Sequence, residues 1–196
     1  MTFLSLNGWR FFKMIEVRIH GRGGQGAVTS AELMALAAIA TGKYAQAFPS
    51  FGPERRGAPV MAFLRISDEP VRTREKIYNP NLVVVLDAGL IPISNVEAGI
   101  ADDGIVIVNT PMSPAELKKN FNLKSRVATV DATSIAREIL KVPITNTTMI
   151  GSIVRVSQVV PLESLEKPIM ERFGSSLGEK NFAACKKAYE VTILEE

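Results

Sequence analysis

The chain has 196 residues, 46% of them hydrophobic and 22% charged, with a formal net charge of +3. That is enough chain for a sizeable core without covalent staples, and the charge is too weak and dispersed for a nucleic-acid-binding stripe. A single cysteine, Cys185, and a single histidine, His20, exclude a disulfide framework, and an iron–sulfur cluster needs about four thiolates.

Residues 1–13, MTFLSLNGWRFFK, are apolar with a late basic end. This reverses the charge order of a secretory leader. They read as an N-terminal extension ahead of one domain over 14–196. No apolar run reaches the roughly 18–20 residues that cross a bilayer, so no membrane association and a cytoplasmic location are expected. The alternating run Met14–His20 predicts a strand, with its core over Ile15–Ile19. A helix rich in Ala and Leu comes next over Ala27–Thr41, with Gly42 where a terminating glycine belongs. Tyr44–Phe48 predicts a short strand, and VMAFLRIS (60–67) another beyond the loop PSFGPERRGAP.

LVVVLDAG (82–89) and GIVIVNT (104–110) are continuous apolar runs of the type that parallel strands buried on both faces require. In PMSPAELKKN, Ser113, Pro114 and Glu116 take the N-cap, N1 and N3 positions of a capping box. RVATVDAT (126–133) predicts a further strand, then a short helix over Ser134–Leu140. From Thr147 onward the chain reads as mostly helical, interrupted at Pro161, Gly174 and Gly178. The expected fold is a three-layer α/β domain with a mainly parallel, Rossmann-like sheet and a helical C-terminal region.

Gly21, Gly23 and Gly26 match G-x-G-x-x-G directly after the first strand. Glycines let backbone N–H groups approach an anion, and a helix N-terminus beyond them favours negative charge. A dinucleotide site also needs an acid about 20 residues on to hold the ribose, and GKYAQAFPSFG has none before Glu54. No Gly-Lys-Ser/Thr ends the loop either, so a Walker-type phosphate site is unsupported. The second informative stretch, QAFPSFGPERRGAPV, sets Glu54, Arg55 and Arg56 among aromatics and prolines. Arginine forks suit carboxylate or phosphate, which predicts an interface or ligand edge. Asp87 and Asp131 end apolar strands and read as caps of the helices that follow. Cys185, Met149 and Ile150 read as core, and His20 as structural.

Taken together, HGRGGQGAVT (20–29), GKYAQAFPSFGPERRGAPV (42–60), VVVLD (83–87), NTTMIG (146–151) and NFAACKKAYE (181–190) resemble the gamma subunit of the pyruvate:ferredoxin oxidoreductase, or 2-oxoacid:ferredoxin oxidoreductase, family. The resemblance covers the chain from Met14 onward. It implies a complex that oxidatively decarboxylates a 2-oxoacid, with thiamine pyrophosphate, Mg2+, iron–sulfur clusters and coenzyme A on or with partner subunits. Alpha, beta and delta-type subunits are the implied partners, and ferredoxin is reached through the complex. The pyruvate branch is expected, with 2-oxoisovalerate and 2-oxoglutarate enzymes as alternatives. Neither catalytic nor metal-binding residues are expected on this chain. Arg22, Gly23, Gly24, Gln25, Gly26, Arg55 and Arg56 are the candidate residues for coenzyme A or for a subunit interface. Two rival readings are a stand-alone dinucleotide enzyme and a pure interaction module whose glycines only permit close packing, with Gly24 as the telling position.

Overall fold

The computed structural model describes residues 14–50 and 56–195. The predicted extension over 1–13, together with Glu54 and Arg55, lies outside them. In chain order the elements are β1 (Met14–Arg22), α1 (Ala27–Ala40), β2 (Tyr44–Pro49), β3 (Pro59–Ser67) and β4 (Leu82–Val85), then β5 (Ile105–Asn109) and α2 (Pro114–Phe121). They continue with β6 (Arg126–Val130), α3 (Ala132–Leu140), α4 (Asn146–Ser157), α5 (Glu166–Phe173), α6 (Ser175–Val191) and β7 (Ile193–Leu194). Short 3-10 turns lie after β4 (Ala88–Leu90) and before α5 (Leu162–Leu165).

One sheet runs in the order β2-β3-β1-β4-β5-β6-β7. Its centre, β1-β4-β5-β6, is parallel, and β3 and β2 on one side and β7 on the other pair antiparallel. The parallel centre agrees with the apolar runs. The antiparallel flank has a simple cause: the connection between β2 and β3 is too short for a crossover helix, so the two strands form a hairpin arm.

Alternation along the strands divides two cores. Val17, Ile19, Leu64, Val84 and Ile107 face a layer made by α1 and α3–α6. Val83, Val85, Val106 and Val108 face Leu90, Val96 and Leu117, which come from the segment after β4 and from α2. The capping box starts α2 as expected, with the Ser113 side chain accepting from Glu116 N and Glu116 accepting from Ser113 N. Helix α1 stops at Ala40, with Thr41 as its cap and Gly42 beyond at φ +84°. Helix α3 begins at Ala132, two residues before the expected start, because Asp131 caps it by accepting from Ser134 N.

The NTTMIG stretch opens α4, in which every residue from Asn146 to Val154 is buried. A Cβ on Gly151 would lie 1.9 Å from the Cys185 carbonyl oxygen. Helices α4 and α6 therefore touch backbone to backbone at this crossing, and only glycine permits it. Cys185 sits in that crossing, where burial pushes its thiol up to about 12.

Candidate functional site

The glycine loop leaves the carboxyl end of β1 and bends through Gly24 (φ +94°) and Gly26 (φ +80°), backbone that other residues rarely adopt. Gly26 is also the N-cap of α1, and a Cβ there would meet the Asn146 side-chain nitrogen at 2.7 Å. Ser30 Oγ donates to the Asn146 carbonyl oxygen across the same contact. The N-termini of α1 and α4 thus converge beside the loop. Around Gly24 a Cβ would find nothing within 4 Å. The packing role expected of Gly24 falls instead to Gly26 and to Gly21, whose Cβ would meet Leu86 at 3.1 Å.

Several expected ligand groups are engaged within the chain. Gly23 N donates to Ala58 O (2.8 Å) and Gly57 N to Gly23 O (3.0 Å), which sets Arg56 beside Gly23 in a parallel bridge. Gln25 N donates to Arg22 O, while Gln25 Oε1 accepts from Arg22 N at 2.7 Å. Arg22 Nε donates to Asp87 Oδ2 at 2.5 Å, and its Nη1 reaches Gly57 O at 3.4 Å. Asp87 Oδ1 accepts from Gly89 N, so the acid caps the short 3-10 helix after β4 as predicted and pairs with Arg22 as well. Burial would raise the Asp87 carboxyl, but bonds from Arg22, Gly89 N and Gln25 and the Arg22 charge hold it below the usual carboxylate range. Loop and arginine segment are therefore joined, as the two motifs suggested, yet Arg22 serves as an internal strut. Arg56 is exposed.

Gln25 and Asp87 border a cleft of about 520 Å³, lined as well by Gly24, Asn109, Met112 and Ile144, among others. It lies beyond the carboxyl ends of the parallel strands, where open α/β sheets gather ligands. Its floor includes Asn109 and Thr133, which sequence reasoning missed. Asn109 Nδ2 donates to Leu86 O (3.0 Å) and Thr133 Oγ1 (2.9 Å), and Asn109 Oδ1 accepts from Thr133 N. A polar residue closing the apolar run IVIVN was the available signal. Pro111, Met112, Pro143 and Ile144 give the rim an apolar character.

A dinucleotide site would need a parallel strand beside β1, across from β4, ending in an acid. That neighbour is the antiparallel β3, so the stand-alone dinucleotide reading loses its second half. His20 is no ligand either. Its Nε2 accepts from Arg18 Nε (3.1 Å), which makes the ring neutral with its proton on Nδ1. Burial, then the Arg18 charge, lowers it to about 4. Among the described residues, no group of three His, Cys, Asp or Glu is arranged for a metal. None of their helices is long and apolar enough to cross a membrane.

The sequence profile of the family described as pyruvate ferredoxin/flavodoxin oxidoreductase matches residues 16–191. The chain belongs to this family. It is 53% identical over 184 residues to the "Pyruvate/ketoisovalerate oxidoreductases common subunit gamma" of Pyrococcus furiosus, covering 93% of this chain and all of that protein. It is also 53% identical over 177 residues to "Pyruvate synthase subunit PorC" of Methanothermobacter marburgensis, covering 90% of this chain and 97% of that one. Among solved structures, pyruvate oxidoreductase subunit PORC of Thermotoga maritima superposes with a TM-score of 0.84 at 40% identity, over 94% of this chain and 100% of that one. The family's three-layer α/β architecture is therefore the one described above.

Proposed function

We propose that this chain is the gamma subunit of a multi-subunit pyruvate:ferredoxin oxidoreductase. The complex oxidatively decarboxylates pyruvate to acetyl-CoA and carbon dioxide and passes the electrons to ferredoxin. The observation that carries this reading is the 53% identity to a gamma subunit over that protein's whole length. Residues 14–196 act as one unit, and the chain works in the cytoplasm.

Iron–sulfur clusters do not fit the described residues of this chain, and thiamine pyrophosphate and Mg2+ are assigned with them to partner subunits. The chain's one thiol is buried between two helices with its proton held tightly, and cluster ligation requires thiolates. Those groups belong to alpha, beta and delta-type subunits, and this chain supports them and walls the acyl-acceptor side. Coenzyme A carries a pyrophosphate and a ribose phosphate on an otherwise apolar arm. The cleft offers part of the matching chemistry: Gly24 of the glycine loop near two helix N-termini, and an apolar rim. Arg56, exposed and joined to that loop through Gly23, is the charge proposed for the phosphates. Gly23, Gln25 and Arg22 hold the loop in shape.

A second reading concerns the oxoacid. The Pyrococcus relative is named as common to pyruvate and ketoisovalerate enzymes. A gamma chain of this type is thus compatible with more than one oxoacid, and 2-oxoisovalerate or 2-oxoglutarate enzymes remain the alternative assemblies. Selection then rests on other subunits.

Co-expression with its partner subunits tests the proposal. The purified assembly is expected to reduce ferredoxin with pyruvate and coenzyme A, while the chain alone is colourless and inactive. A chain that alone turns over a 2-oxoacid, or that carries its own iron and sulfide, would overturn it.

A further inference from the structure

Asp87 joins three segments that are far apart in sequence. Its Oδ2 takes the Arg22 Nε–H at 2.5 Å and its Oδ1 takes Gly89 N at 2.8 Å. Arg22 continues the chain of contacts through Nη1 to Gly57 O, and the backbone beside it is locked by the Gly23–Ala58 and Gly57–Gly23 bonds. Around Arg22 the space is tight: a Cβ on Gly89 would lie 3.0 Å from Asp87 Oδ1 and 3.4 Å from Arg22 Nη2.

This arrangement neutralises the Arg22–Asp87 pair, so Arg22 adds no net charge to the cleft. The carboxylate also fixes the guanidinium in one orientation, because Nε and Nη1 have fixed directions in the planar fork. With the fork fixed, the glycine loop and the segment bearing Arg56 hold one spacing.

We propose that Asp87 is a positioning residue for the acyl acceptor: through Arg22 it sets the spacing between the glycine loop and the Arg56 segment. It makes no bond to the ligand itself. The inference rests on the reading that coenzyme A enters this cleft. A preorganised site spares the ordering cost of binding, so loss of the strut appears as weaker acceptor binding rather than slower chemistry.

The test uses the assembled complex carrying Asp87→Asn, Arg22→Gln, both together, or Arg56→Ala. Steady-state kinetics are measured with coenzyme A and pyruvate varied in turn, alongside subunit stoichiometry and melting temperature. Asp87→Asn is expected to raise the KM for coenzyme A about tenfold, the order of one lost charge-assisted hydrogen bond, leaving kcat and the KM for pyruvate within about twofold of the parent. The double variant should be no worse than Arg22→Gln alone, since the acid acts through the arginine. Asp87→Glu, which keeps the charge, should recover part of the loss.

If Asp87→Asn leaves the KM for coenzyme A unchanged while Arg56→Ala raises it, the positioning role is wrong and the cleft reading stands. If neither variant changes it, the cleft reading fails and this inference with it. A uniform loss of kcat, assembly and melting temperature in Asp87→Asn would make the acid merely structural, which also overturns the proposal.

Discussion

Replacing Gly151 with alanine tests the packing argument most directly. The new Cβ would lie 1.9 Å from the Cys185 carbonyl oxygen, 2.9 Å from its carbonyl carbon and 3.0 Å from Tyr189 N. All three are backbone atoms, so no side chain can swing aside. Carbon–oxygen contacts close at about 3.3 Å, so α4 and α6 must separate by more than about 1 Å at their crossing. Both helices are anchored in the core, through Met149, Ile150 and Ile153 on one side and Ala184, Cys185 and Ala188 on the other. Overpacking in a well-filled core costs about 1–3 kcal/mol, and a rigid backbone neighbour places this site at the upper end. For a chain of this size, about 3 kcal/mol corresponds to a fall in Tm of roughly 6–12 °C. Thermal and urea unfolding followed by circular dichroism would measure it. A fall of less than about 2 °C would show that the helices slide apart easily and that the crossing is not as tight as described.

Gly24→Ala meets no steric neighbour and pays only for its φ of +94°, about 1–2 kcal/mol. It should lower Tm by a few degrees while raising the KM for coenzyme A in the complex; an unchanged KM would show that the loop does not touch the acceptor. His20 is held at about 4 by burial and Arg18, against about 6.5 when unfolded. The unfolded chain therefore takes up the proton first, and stability falls as pH drops from about 6.5 to about 4. That loss amounts to about 3 kcal/mol at most. His20→Gln, which keeps an acceptor for Arg18, should flatten the melting-temperature profile over that window, and an unaltered slope would place the cause elsewhere.

Local signals were legible in the sequence where a few neighbouring residues decide the outcome. The Ser113–Glu116 box, the Asp131 cap and the Gly42 stop each act within one helical turn, and all three take their expected places. The continuous apolar runs did mark the parallel centre, but the direction of the β2–β3 flank did not emerge, because alternation reports burial and not the sense of pairing. Only the length of the β2–β3 connection made that flank antiparallel.

The candidate site was half legible. Its two motifs do meet, through the Gly23–Arg56 bridge, but the use of each residue depends on partners remote in sequence. Arg22 looked like a ligand charge because its partner, Asp87, is 65 positions away. Asn109 and Thr133 carry no motif, and they matter through where β5 and β6 end. Gly151 has the same character: nothing around it reveals the carbonyl of Cys185.

The position of β1 constrains how the chain reaches this structure. Its neighbours are β3 and β4, with Val17 opposite Leu64 on one side and Leu82 on the other. Strand β1 therefore waits during synthesis for residues in the eighties before both of its edges are satisfied. For longer still the largely apolar α1 has no α4 or α5 to pack against. Such long-range closure slows folding and leaves sticky intermediates exposed. Protection during synthesis, or prompt capture by the rest of the assembly, should therefore govern the yield of native protein more than its final stability does.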